Sequence, residues 1–247
     1  MKICLAQIES VKGDIPSNIE RHQQFIHQAC QHGSKIIIFP ELSITNYEPE
    51  LARDLAIYPD DNRFDAFQEI ADSQQVTIGI GVPLNVDGGI CISMVIFYPH
   101  QPRQIYSKKY LHADEEPFFI PGENSTSFLN NTANIALGIC YELSVPEHAE
   151  DASRNGAKIY LTSVAKSTSG VEKAFARLSE VAKKYSMITL MVNNIGPSDN
   201  FVGAGQSAIW NRQGALIGQL DDEHEGLLII DNETQEVTKV NFQFPRL

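Results

Sequence analysis

The sequence predicts an α/β protein with two mixed sheets, each carrying helices on its outer face, and three features support this. Residues 3–39 read as strand, helix and strand, and the second strand, Lys35-Ile36-Ile37-Ile38-Phe39, is continuously apolar. That is the pattern of a strand buried on both faces of a covered sheet. Strand and helix signals alternate again from residue 134 to residue 192. Between these halves, residues 76–82 and 90–98 read as strands joined by Asn85-Val86-Asp87-Gly88-Gly89, whose Asp-Gly-Gly run predicts a hairpin and some antiparallel pairing. No linker, low-complexity tract or charge block interrupts the chain, so one domain is expected over residues 1–247.

The individual elements follow in order. Residues 3–8 form an apolar run broken by Gln7 and Glu9; it is too short for a signal or membrane segment and reads as a buried first strand. After the Gly13-Asp14 turn, Ser17 and Glu20 have capping-box spacing. Ile19, His22, Phe25, Ile26, Ala29 and Cys30 then recur at helical intervals, which places Cys30 in the core, and Gly33 ends this helix. A helix over residues 61–74 presents Phe64, Phe67, Ile70 and Ala71 on one face. The stretch from Tyr106 to Gly122 mixes lysines, acids, aromatics and prolines, and is expected to be largely irregular.

Residues 134–139 read as an apolar strand that runs into Cys140. Ser144 and Glu147 again have capping-box spacing, with Pro146 suited to the first turn and Asn155-Gly156 to the stop. A strand over residues 158–162 precedes a third such cap at Ser169 and Glu172. The helix that follows carries Val171, Ala174, Phe175, Leu178, Val181, Ala182 and Tyr185 on one stripe. Residues 187–192 and 226–230 read as strands, and residues 203–210 as a glycine-led strand and turn. The tail from Asn232 has little pattern and is expected to pack on a partner subunit.

Composition narrows the function. The 247 residues include 31 acidic and 19 basic side chains, for a formal charge of -12. That balance argues against nucleic acid or an anionic membrane as a partner, since both require a basic surface. Cys4, Cys30, Cys91 and Cys140 are scattered, without a Cys-x-x-Cys or Cys/His cluster, so neither a disulfide framework nor a metal site is expected. The pattern suits a reducing cytoplasm. No cofactor is expected.

A cysteine behind an apolar strand is ordinarily inert core. At a strand-to-helix connection, however, free backbone N–H groups can stabilise a thiolate or an oxyanion. Glu41 directly follows a buried strand and a proline, where α/β sheets place their sites, although a loop acid is ordinarily just solvated. Lys108, one of an adjacent lysine pair, would by itself be read as exposed.

Set side by side, these segments resemble the carbon–nitrogen hydrolase family, also called the nitrilase superfamily. The matching segments are Phe39-Pro40-Glu41-Leu42, Lys108-Lys109-Tyr110-Leu111, Pro121-Gly122, Gly138-Ile139-Cys140-Tyr141-Glu142, Pro146-Glu147 and residues 203–214, in the family's order. The resemblance implies a four-layer α-β-β-α sandwich and a Glu41–Lys108–Cys140 triad. Lys108 is selected over Lys109 because the family's lysine stands three residues before a Leu or Ile. It further implies an assisting glutamate seven residues before Gly122, which is Glu115, with Glu116 beside it as the alternative. A homodimer or higher homo-oligomer, paired near the nucleophile helix, is implied as well. Two positions depart from the pattern: Ser144 stands where many members carry Arg, and Val171-Glu172-Lys173 where many carry an aromatic. Both regions border the pocket in the family, so a free α-carboxylate substrate is not carried over.

The chemistry expected of these residues is acyl transfer through sulfur. Glu41 would take the thiol proton and later activate water, given a dry pocket that raises its pKa. Lys108 and the Tyr141 backbone N–H would face the oxyanion. The expected reaction cleaves the C–N bond of a small amide through a thioester, releasing ammonia or an amine. Nitrile hydrolysis, acyl transfer to an amine, and a binding protein with an idle site are the alternatives.

Overall fold

The computed structural model describes residues 1–123, 128–129 and 134–242. The first half runs β1 (Lys2–Gln7), α1 (Ile15–Gln31), β2 (Ile36–Ile38), the single turn α2 (Ala52–Leu55), α3 (Asp65–Gln74), β3 (Thr77–Val86), β4 (Gly89–Phe97) and β5 (Gln104–Ser107). The second runs β6 (Phe128–Leu129), β7 (Ile135–Ile139), α4 (Pro146–Arg154), β8 (Ile159–Val164), α5 (Thr168–Tyr185) and β9 (Ile188–Asn193). The chain continues through β10 (Ile195–Ser198), β11 (Phe201–Ala204), β12 (Ala208–Trp210), β13 (Leu216–Gln219), β14 (Gly226–Asp231) and β15 (Val237–Asn241).

Two mixed sheets result. One has the order β15-β14-β1-β2-β3-β4-β5, the other β13-β12-β9-β8-β7-β6, and β10 with β11 forms a small separate hairpin. In each large sheet three strands joined by helices are parallel, β1-β2-β3 and β7-β8-β9, and antiparallel strands flank them.

Alternation along the strands makes this a four-layer α-β-β-α sandwich. Ile3 and Leu5 of β1 join Leu137 and Ile139 of β7 and Leu190 of β9 in a core between the sheets. The intervening Cys4 and Ala6 pack with Phe25, Ile26 and Ala29 of α1 and with Phe67 and Ala71 of α3. On the other side, Ala136 and Tyr160 pack with Ala149 of α4 and with Leu178 and Val181 of α5. Period-two alternation thus sends successive side chains to different layers. All four cysteines are free. Among the described residues, no helix is long and apolar enough to cross a membrane.

The fold corrects several local expectations. None of the three Ser-x-x-Glu pairs caps its helix. Helix α1 starts a turn earlier, because the Asp14 carboxylate accepts from Ser17 N and Ser17 Oγ at 3.2 and 2.8 Å. Helix α5 is preceded by Ser167, so Ser169 lies inside it. Ser144 closes a 3₁₀ turn and is exposed, while Val145 precedes α4. A caps signature reads spacing alone, and the chain's entry angle decides which polar residue meets the free N–H groups. The patternless tail contains β15, paired with β14 over Gly226↔Asn241 to Ile230↔Val237; residues 243–247 of that tail lie outside the described residues. Cys30 is half-buried rather than fully in the core, and the β5, β10 and β11 strands carried no sequence signal strong enough to mark them.

Candidate active site

Glu41 owes its place to an abrupt end of β2. The last ladder bond runs from Phe39 N to Gly79 O at 2.9 Å, and Ser163 Oγ of β8 donates across the sandwich to Phe39 O at 2.9 Å. The chain then folds back over β3 at Gly81. A Cβ there would lie 2.3 Å from Pro40 O and 2.4 Å from Leu42 N, so only glycine lets the Glu41 backbone approach this closely. Glu41 is consequently buried, at 2 % exposure.

Lys108 follows β5 directly. Its N–H donates to Ile92 O and its carbonyl accepts from Gly122 N, both at 2.8 Å. A Cβ on Gly122 would sit 2.5 Å from Ser107 Cβ, which gives the Pro121-Gly122 pair a steric reason. The loop between them brings Glu115 onto the lysine. Lys108 Nζ donates to Glu41 Oε1 at 2.8 Å and to Glu115 Oε1 at 2.6 Å, and Lys108 has no exposed surface. Glu115 Oε2 accepts from His112 N at 2.8 Å, and Oε1 also accepts from Tyr47 Oη at 3.1 Å. Glu116 is exposed. Of the two adjacent acids, Glu115 is the one at the lysine.

Cys140 follows β7 directly with φ of 42°, a left-handed conformation that costs a non-glycine residue energy and recurs where a side chain must be presented. A 3₁₀ turn over Cys140–Ser144 follows. Sγ lies 3.9 Å from Ala165 O. The Cys140 thiol also acts as a hydrogen-bonding neighbour that lowers the Glu41 pKa, yet Glu41 Oε2 is buried and accepts no bond of good geometry. A buried acceptor without a donor is unusual and calls for a reason. Glu41 and the Cys140 thiol are close enough for each to shift the other's pKa.

The electrostatics of this cluster are set by dryness. Burial pushes the Cys140 thiol up to about 11, reinforced by Glu41 and opposed by Lys166 and Lys108. The sulfur therefore rests as a thiol at neutral pH. Desolvation likewise raises Glu41, against the pull of Lys108. For Lys108, desolvation works against the ammonium, but Glu41, Cys140 and Glu115 outweigh it and the net shift is upward. Tyr47 is raised by burial and by the neighbouring carboxylates, so its hydroxyl remains a donor.

Sγ opens into a cleft of about 520 Å³ bordered by Tyr47, Phe118, Tyr141 and Phe201, with Glu50, Asp114 and Asp199 as acids and Lys166 and Lys173 as cations. Tyr141 is 37 % exposed, and its ring meets His112 edge-on at 5.2 Å. Lys173, from the departing Val171-Glu172-Lys173 segment, borders the cleft, whereas Val171 is core. Sequence reasoning missed Tyr47 and Lys166. Neither stands in a spacing that marks it, since each reaches the site through a loop that only the assembled sheets bring near. Among the described residues, no group of three or more His, Cys, Asp or Glu side chains is arranged to hold a metal.

Comparison with known proteins agrees with this architecture. The chain is 22 % identical to an amidase from Nesterenkonia sp. AN1, superposing with a TM-score of 0.85 over 95 % of this chain and 94 % of that one. It is 24 % identical to an (R)-stereoselective amidase of a Pseudomonas species, over 84 % of this chain and 76 % of the relative. It is also 27 % identical to a glutamine-dependent NAD(+) synthetase from Acinetobacter baylyi, over 92 % of this chain but 43 % of the relative, so it spans less than half the length of that enzyme. The carbon–nitrogen hydrolase family model matches residues 2–242. With the two-sheet sandwich and a match that runs nearly end to end, the chain belongs to the carbon–nitrogen hydrolase family and is an enzyme of that class.

Proposed function

We propose that the protein hydrolyses a small amide through a thioester on Cys140. The observation that carries this reading is the buried Glu41–Lys108–Glu115 cluster, in which Lys108 Nζ bridges the two carboxylates at 2.8 and 2.6 Å, with all three charges acting on the Cys140 thiol. Because the sulfur rests protonated, attack and proton transfer are coupled: Glu41 takes the Sγ proton as sulfur adds to the carbonyl carbon. An ammonium has three donors, and two of those on Lys108 are held by Glu41 and Glu115. The third is available to the oxyanion, with the Tyr141 backbone N–H as second donor. Glu41 passes its proton to the leaving nitrogen, the C–N bond breaks, and ammonia or an amine departs. Glu41 then takes a proton from water, hydroxide adds to the thioester, and the acid leaves as the thiol re-forms.

Glu115 orients Lys108 and, with Tyr47, keeps it from rotating away. Structures of the Nesterenkonia amidase include one with acrylamide added to the active-site cysteine and one with butyramide bound, which supports a small aliphatic amide as the first substrate class to test. The glutamine dependence of the NAD(+) synthetases adds glutamine to the panel. Nitriles and amine acceptors belong in it too, because the same three residues serve those reactions.

The deciding variant is Cys140→Ala. Ammonia release from a substrate the wild type turns over should fall by at least about 10³-fold, with the circular dichroism spectrum unchanged. Full turnover by a folded Cys140→Ala protein would refute the mechanism. Family resemblance also supports a homodimer paired beside α4; sedimentation as a monomer at micromolar concentration would exclude it.

A further inference from the structure

Behind the nucleophile lies a buried polar cluster that the proposed mechanism does not use. Glu142, two residues after Cys140, has no exposed surface. Its Oε2 accepts from Ile139 N at 2.7 Å and from Tyr106 Oη at 2.6 Å, and its Oε1 accepts from Lys109 N at 2.7 Å. Three donors on two oxygens is the pattern of a carboxylate, which only accepts.

The identity of two of those donors matters. Ile139 is the residue immediately before Cys140, and Lys109 is the residue immediately after Lys108. One side chain therefore joins the backbone that presents the sulfur, in one sheet, to the backbone that presents the ammonium, in the other. We infer that Glu142 is a positioning residue for amide cleavage, fixing the separation of Cys140 and Lys108 through these two backbone bonds. The inference rests on the proposed roles of those two residues.

The rest of the cluster holds the clamp in one orientation. Tyr106 Oη lies 3.0 Å from His148 Nε2, and His148 Nδ1 lies 2.8 Å from Tyr160 Oη. Since Tyr106 donates to Glu142, the network is complete when His148 Nε2 carries the proton and Nδ1 accepts from Tyr160. Burial lowers the His148 pKa, which keeps the ring neutral as that arrangement requires. A Cβ on Gly138 would lie 2.9 Å from Tyr160 Oη, so the cluster fits tightly under β7. No water is needed to satisfy Glu142.

The charge and the length of Glu142 are both necessary. Gln in its place can accept from Ile139 and Tyr106 with its oxygen, but its NH₂ then faces the Lys109 N–H, donor against donor. Asp retains the charge but is one methylene too short to hold both backbone segments.

The test compares Glu142→Gln and Glu142→Asp with Tyr160→Phe, which weakens the same buried cluster but leaves all three bonds to Glu142. On an amide that the wild type turns over, kcat for the Glu142 variants should fall about 10²-fold with KM within about twofold, as expected when reacting groups are displaced by around 1 Å. Tyr160→Phe should lower the melting temperature with kcat within about twofold. Three results would overturn the inference: a folded Glu142 variant with wild-type kcat; a kcat loss no larger than that of Tyr160→Phe at equal loss of melting temperature; or failure of both Glu142 variants to fold, which would make the residue purely structural. A wild type inert toward every amide counts against the proposed function instead, whereas an active wild type with unaltered Glu142 variants sinks only this inference.

Discussion

Lys108→Ala is expected to abolish ammonia release and to destabilise the protein at the same time. Losing one oxyanion donor alone costs about 10²–10³ in rate, and here the same group also holds Glu41 in place through the 2.8 Å bond to Oε1. Stability falls because Glu41 and Glu115, 2 % and 1 % exposed, would face each other without a cation. Removing one partner from a buried ion cluster typically costs about 3–5 kcal/mol. The pH dependence has a definite sign. Without Lys108, little opposes the desolvation that already raises Glu41, so the penalty for its charge is present above the ordinary carboxylate range and relieved as pH falls. The variant should therefore recover part of its melting temperature between pH 8 and pH 5. A second substitution, Glu115→Gln, should restore stability in the Lys108→Ala background without restoring turnover. Thermal unfolding across pH, read beside ammonia release, checks both halves. A Lys108→Ala protein as stable as wild type at pH 8 would show that the cluster's charges are not those described.

Glu41→Gln should separate thiol acidity from turnover, moving them in opposite directions. The Cys140 thiol is pushed up to about 11 first by burial and then by the Glu41 charge, while Lys166 and Lys108 oppose the rise. Removing the carboxylate leaves the two lysines and takes away one of the opposing charges. The pH midpoint for alkylation of Cys140 by iodoacetamide should thus lie below that of the wild type, so that alkylation near pH 8 is faster. Ammonia release should nonetheless drop by about 10²–10⁴, the usual contribution of a positioned base. A more reactive sulfur in a less active enzyme is the signature of a base that also carries protons to the leaving group and from water. An alkylation midpoint that rises, or turnover that persists, would remove Glu41 from that role.

Period and order made much of the architecture readable. The apolar run at Ile36, Ile37 and Ile38 indicated a strand covered on both faces, and the Asp87-Gly88-Gly89 run a hairpin; both are present, although the strands extend into the expected loop and leave a turn of Asp87 and Gly88 alone, with Val86 opposite Gly89. Caps and edges were less legible. Ser17, Ser144 and Ser169 had the right spacing but the wrong place in the chain's path, and the β5, β10 and β11 strands take their regularity from neighbours rather than from their own composition. At the site, Glu41, Lys108 and Cys140 were marked by motif order, and Glu115 by its distance from Gly122.

What the sequence by itself determined is therefore the class of fold and the candidate reactive groups, since strand period, breaker residues and motif order are local and survive in a linear reading. The tertiary structure alone decided how those groups act on one another. It chose Glu115 over Glu116 by burying only the first, and brought Tyr47 and Lys166 to the cleft from unmarked loops. It also tied the Cys140 and Lys108 segments together through Glu142. Those outcomes depend on desolvation and on distances of about 3 Å between residues up to 68 positions apart in the chain, and no spacing along one strand encodes them.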